Sequence, residues 1–222
     1  MQTIKEICSV FFGIIRVLLV LAVKPPKVTD RKSVGTMFED TVAKYSNRKM
    51  ITFEGRELTW GQFNELANRM ARALRNRGVK RGDSVALILE NRIEFLALAI
   101  AAQKIGATAA LVNPSLRGLQ LAHCIKISGA VKCLIGEEIY SNFISARDEI
   151  ALADEHILWV ADTRRQDVPE GAEDFIDHLD AFSSDNLEDV NNIVAGDIAF
   201  YIYTSGTTGL PKAAKITHRR WF

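Results

Sequence analysis

Cysteine is scarce in this 222-residue chain, which has only Cys8, Cys124 and Cys133. An odd number without C-x-x-C spacing excludes a disulfide framework and a cysteine-held metal site, and leaves reduced, buried thiols. Charge of one sign is also absent: 28 basic against 27 acidic residues give a formal net charge of +1. No basic stretch interleaved with aromatics offers a nucleic-acid surface. No glycosylation acceptor is present, since Asn113-Pro114-Ser115 is spoiled by its proline. There is no internal repeat and no low-complexity tract.

One long apolar run is present, residues 7–23. Twelve of its seventeen residues are Ile, Leu, Val or Phe, and its sole charge is Arg16. Each such apolar residue favours insertion by roughly 0.3–0.6 kcal/mol and a central Arg costs roughly 3, a sum of about −2 kcal/mol. As a helix the run is about 26 Å long, slightly short of a ~30 Å hydrocarbon core, and adding Ile4 closes the gap. Apolar residues surround it on all sides, which favours spanning over lying in the interface. A cleaved signal peptide is the alternative, disfavoured by Leu21 and Val23 where small residues are needed. Lys24, Lys27, Arg31 and Lys32 follow at once. The positive-inside rule then predicts a single-pass anchor with the body of the chain in the cytosol. Residues 24–33 read as a basic linker, solvated by default and able to touch anionic headgroups.

Beyond the linker, helical and strand periods alternate. Residues 34–45 are predicted helical with Ser33 as N-cap. Residues 50–53 and 57–59 flank a Glu54-Gly55-Arg56 turn and predict a hairpin. Phe63, Leu66, Ala67, Met70 and Leu74 recur at helical spacing within 60–76, and Gly78 ends that helix. Strands over 84–89, 107–112, 131–135 and 157–160 alternate with helices over 93–105, 118–127 and 141–153. Residues 163–197 are acidic and loop-rich, with a helix near Phe175. The pattern predicts an α/β fold with a mainly parallel sheet flanked by helices. Trp60, Phe95, His123 and Cys124 read as packing residues, Arg117 as a cap, and Arg92 and Lys104 as solvated.

The densest chemistry is Thr204-Ser205-Gly206-Thr207-Thr208-Gly209-Leu210-Pro211-Lys212, entered from the apolar run 198–203. Glycines let successive N–H groups form an anion-binding nest. The hydroxyls of Thr204, Ser205, Thr207 and Thr208 can donate to phosphate oxygens or bind magnesium through oxygen. Lys212 adds a mobile cation, and Pro211 stiffens its approach. The spacing excludes a Walker A loop, whose lysine directly follows the second glycine. It also excludes a nucleophile elbow, since Ser205 lacks the flanking glycines. Residues 213–218 read as a strand, so the loop joins two strands. A Ser/Thr/Gly-rich surface turn is the plain alternative.

Thr-Ser-Gly-Thr-Thr-Gly-x-Pro-Lys, with His218 six residues past the lysine, resembles the signature loop of the adenylate-forming, AMP-binding enzymes. Upstream, Leu89-Glu90-Asn91-Arg92-Ile93-Glu94-Phe95 is similar to a segment of the fatty acid transport proteins, which are also very long-chain acyl-CoA synthetases. So is Asn113-Pro114-Ser115-Leu116-Arg117, followed by Leu121-Ala122-His123-Cys124. The likeness runs from about Phe38 to the end. Pro114 and Gly118-Leu119-Gln120 depart from commoner variants and leave chain-length preference open. The resemblance implies ATP-dependent activation of long- or very long-chain fatty acids through an acyl-adenylate, then transfer to coenzyme A. It places Tyr203, Thr204, Ser205, Gly206, Thr207, Thr208, Gly209 and Lys212 on the nucleotide and Thr207 or Thr208 on Mg2+. Lys212 becomes the catalytic cation, and His218 matches the family's histidine, a structural role being the alternative.

Family members are longer, so 34–222 is expected to be the incomplete N-terminal part of an AMP-binding domain. It would follow an anchor at 1–23 and the linker at 24–33. Activity would then belong to the full-length parent. The alternative is a non-catalytic membrane-anchored module or truncated splice product. The expected partners are long- or very long-chain fatty acids, a plasma or endoplasmic-reticulum membrane, and a further copy of the chain.

Overall fold

The structure, a computed structural model, describes residues 24–162, 167–170, 172–204 and 209–222. The expected anchor and Cys8 lie outside these residues. Among the described residues, no helix is long and apolar enough to cross a membrane.

Helix α1 (Val34–Tyr45) starts where local chemistry dictates. The Ser33 hydroxyl accepts from the Thr36 N–H, and the Thr36 hydroxyl accepts from the Ser33 N–H, a reciprocal cap. Strands β1 (Lys49–Phe53) and β2 (Arg56–Thr59) pair antiparallel. Their turn sets Glu54 and Gly55 at φ of 49° and 79°, the left-handed pair that a two-residue hairpin needs. Helix α2 (Trp60–Asn76) opens on a second reciprocal cap, Thr59 with Gln62. It closes at Gly78, whose φ of 86° lets the Val79 N–H return to the Leu74 carbonyl at 3.1 Å.

The body is one seven-stranded sheet made of β3 (Ser84–Ile88), β4 (Thr108–Leu111), β5 (Ala130–Gly136), β6 (Ile157–Val160), β7 (Glu173–Asp174), β8 (Ile198–Thr204) and β9 (Lys212–Thr217). The spatial order is β7-β6-β5-β3-β4-β8-β9, and every neighbouring pair is parallel except β8 with β9. Helices α3 (Ile93–Lys104), α4 (Gly118–Ser128) and α5 (Tyr140–Ile144) are the crossovers. Strand side chains alternate between faces, and so does the core. Val85, Leu87 and Leu89 pack with Phe38, Phe63, Leu74 and Leu98 from α1, α2 and α3. Ala86 and Ile88 pack on the other face with Leu121, Cys124 and Ile125 of α4 and Phe143 of α5. Burying each large aliphatic side chain contributes roughly 1.5–3 kcal/mol, which accounts for the continuously apolar central strands.

Three expectations are corrected. The helix predicted over 141–153 shrinks to α5, because its polar side chains are engaged elsewhere. Asn142 bonds the Pro114 carbonyl and Arg117, and Ser145 accepts from the Gly118 N–H. The helix predicted near Phe175 is instead the two-residue strand β7, followed by 3-10 turns at Leu179–Ala181 and Glu188–Asn192. This segment, 173–197, is strapped down by arginines. Arg69 meets Asp180 at 2.9 Å, Arg72 donates to the carbonyls of Ser183 and Asp185, Arg75 pairs with Asp189, Arg77 with Glu173, and Arg81 with Asp197. Arg72 thus satisfies backbone carbonyls that a helix would have satisfied internally, and the other arginines pair with the segment's carboxylates.

The third correction concerns Arg92 and Lys104, both of which are buried rather than solvated. Arg92 donates to the carbonyls of Val160 and Ala161 at the end of β6 and approaches Glu94 and Glu138. Lys104 pairs with Glu39 of α1 over the ring of Phe38. Buried charges persist when partnered in this way.

Candidate phosphate and nucleotide site

The β8–β9 hairpin is the one antiparallel pair of the large sheet, and its neck faces Thr204 against Lys212. Seven residues, 205–211, close the turn, and Ser205, Gly206, Thr207 and Thr208 lie outside the described residues. Gly209 has a φ of 84°, the left-handed region that favours glycine. The side chains of Thr204 and Lys212 are exposed at the neck, and Lys212 forms no ion pair with any described carboxylate.

Both limbs of the hairpin rest on α4. The Tyr203 hydroxyl donates to the Cys124 carbonyl at 2.9 Å. His123 Nε2 lies 3.0 Å from the Pro211 carbonyl, an acceptor that requires the Nε2–H tautomer. Tyr203 was predicted to hold nucleotide. Burial pushes its phenol up, its hydroxyl is engaged by the helix, and its ring lines the neighbouring cleft.

That cleft, about 490 Å³, is lined by Leu89, Glu90, Asn91, Asn113, Ile202 and Tyr203 among others. It sits beyond the carboxyl ends of β3, β4 and β8. The chain leaves β3 toward the α3 face and leaves β4 toward the α4 face. Such a switch point is where open α/β sheets bind ligands. Glu138 shapes one wall by accepting from the Glu90 N–H at 2.9 Å. A hollow of equal volume lies beside α5 and β6. Its guanidinium, Arg147, is already bound to Asp154 and to the carbonyls of Ile150 and Leu152.

His218 is buried, and its Nδ1 accepts from the Val34 N–H at 3.1 Å, one of the first, otherwise unpaired amides of α1. Burial lowers its pKa to about 4, so it stands neutral. This geometry assigns it the structural alternative. Burial raises the thiols of Cys124 to about 11 and Cys133 to about 12, which denies both a nucleophilic role near neutral pH. Among the described residues, no cluster of three or more His, Cys, Asp or Glu could hold a metal ion. Reading the sequence alone missed the part played by His123, set down as packing. Its only signal was its place in a block shared with relatives.

Over 195 residues the chain is 36% identical to the medium/long-chain-fatty-acid–CoA ligase FadD6 of Mycobacterium tuberculosis, covering 86% of this chain and 30% of that protein. It is 30% identical over 190 residues to the long-chain fatty acid transport protein 2 of Rattus norvegicus, covering 84% of this chain and 30% of that one. The chain thus spans about 30% of the length of these relatives. Among solved structures, the anthranilate CoA ligase AuaEII in complex with anthranoyl-AMP shares the fold with a TM-score of 0.78 at 22% identity, covering 90% of this chain and 37% of that one. The N-terminal domain of FACL13 from Mycobacterium tuberculosis matches with a TM-score of 0.66 at 25% identity, over 84% of this chain and 44% of that one. A family model described as AMP-binding enzyme matches residues 38–222, and the chain accordingly belongs to the AMP-binding, adenylate-forming enzymes.

Proposed function

We propose that this chain carries the phosphate-binding part of an ATP-dependent fatty acyl-CoA ligase for long- or very long-chain fatty acids, held at a membrane. One observation carries the reading. The Thr204–Lys212 neck follows directly on Ile202 and Tyr203, which line the cleft beyond the parallel strand ends, and a Ser/Thr/Gly-rich stretch joins its limbs. An exposed lysine without a carboxylate partner among the described residues suits an incoming triphosphate, so the described residues fit ATP.

Lys212 would draw the β- and γ-phosphates against the neck and neutralise charge on departing pyrophosphate. Thr204 and the turn would hold those phosphates in line by hydrogen bonds. Positioning and charge stabilisation supply most of the catalysis in such transfers. Thr207 and Thr208 supply the oxygen chemistry Mg2+ prefers. When bound, ATP supplies the activation of the carboxylate that coenzyme A's thiol then resolves into a thioester. Fatty acids as substrates are supported by what the relatives are named for.

The membrane reading is supported by the apolar run at 7–23 and by Lys24, Lys27, Arg31 and Lys32, all exposed after it. ATP binding to the chain, followed by hydrogen-exchange protection of residues 204–213, is expected to weaken about tenfold in Lys212→Ala. Equal binding by the two proteins would remove Lys212 from the site.

A further inference from the structure

We infer that His123 is a positioning residue for Lys212: through the Pro211 carbonyl it holds the start of β9 where the lysine can meet phosphate. The inference rests on the reading of Lys212 given above.

Among the described residues, strand β9 lies at the edge of the sheet with β8 as its one strand neighbour. Lys212 is its first residue, where a ladder frays most readily. On the β8 side, Lys212 is in register with Thr204. The other restraint comes from α4. His123, half-buried, places Nε2 3.0 Å from the Pro211 carbonyl, immediately before the lysine. Proline has no N–H and a φ fixed near −65°, so its carbonyl is the one backbone group through which position 211 can be held. The next residue of the same helix, Cys124, accepts from Tyr203 on the opposite limb. Two adjacent residues of one helix, packed on the sheet by Leu121, Cys124 and Ile125, therefore brace both sides of the neck. Among the described residues, the exposed ammonium of Lys212 has no charged partner to orient it. Its placement depends on its backbone, and His123 touches that backbone without touching the phosphate.

The test uses the 222-residue chain and inorganic tripolyphosphate as probe. Affinity is read by calorimetry, backbone order by hydrogen exchange at residues 209–213, and folding by the thermal midpoint. His123→Ala is expected to bind about fivefold more weakly, with faster exchange at Lys212 and Ala213. His123→Gln presents an amide N–H at a similar reach and is expected to restore affinity to within about twofold. His123→Asn, whose amide stops short of the carbonyl, is expected to behave as His123→Ala and serves if that variant fails to fold. Wild-type affinity in His123→Ala or His123→Asn, with Lys212→Ala impaired, overturns the role of His123 alone. So does a His123→Gln variant that folds equally well yet binds no better than His123→Ala. If the wild type does not bind tripolyphosphate, or Lys212→Ala binds it equally, the phosphate reading fails and this inference falls with it.

Discussion

Burial lowers the His218 imidazole to about 4, against an ordinary value of 6.5. Its folded pKa is thus below its unfolded one, and on acidification the unfolded chain takes up the proton first. The associated stability is complete above pH 6.5 and is lost as pH falls from there toward 4, by up to roughly 3 kcal/mol. His218→Asn keeps an acceptor for the Val34 N–H and cannot be protonated. Its urea midpoint is expected to fall less between pH 6.5 and 4.5 than that of the parent. Parallel curves for the two proteins would show that His218 is not the acid-sensitive group. The structural alternative for His218 was legible in the sequence, but its partner was not, since Val34 lies 184 positions away. Arg92 and Lys104 were misread for the same reason. A charge reads as solvated until the fold brings it a Glu39 or the two carbonyls at the end of β6.

Elements set by neighbouring residues were the legible ones. Helix α2 was predicted with its observed limits because its apolar spacing and Gly78 past its end both act locally. The sequence 141–153 misled because Asn142 and Ser145 answer to residues 114–118 rather than to their own turn. The arginines of α2 give the element-scale prediction. Arg72→Ala removes charge-assisted donors from the carbonyls of Ser183 and Asp185 and is expected to cost roughly 1–2 kcal/mol in urea unfolding. Hydrogen exchange should quicken at 183–186 while β3 and β5 keep their protection. Arg75→Ala breaks an exposed pair with Asp189 and should cost less than about 1 kcal/mol. A reversed ranking would mean that the strap is held by side-chain charge rather than by its backbone.

For the whole molecule, alternating strands and helices revealed the parallel sheet, but strand order depends on contacts far apart in sequence. The loop's phosphate chemistry was legible in its residue types. Its bracing was not, because α4 lies about 80 residues upstream. The proposed membrane placement predicts that protease added to intact, unpermeabilised cells leaves the body after Lys24 uncut, and that detergent exposes it. Digestion without detergent would reverse the topology.

The strap over 173–197 has a consequence for sequence drift. Arg72 reads main-chain carbonyls, which every residue type carries, so substitutions at Ser183 or Asp185 leave those carbonyl acceptors in place. A saturation scan should therefore find Arg72 far less replaceable than Ser183 or Asp185. The instruction that shapes this irregular stretch is written in a helix about a hundred residues before it.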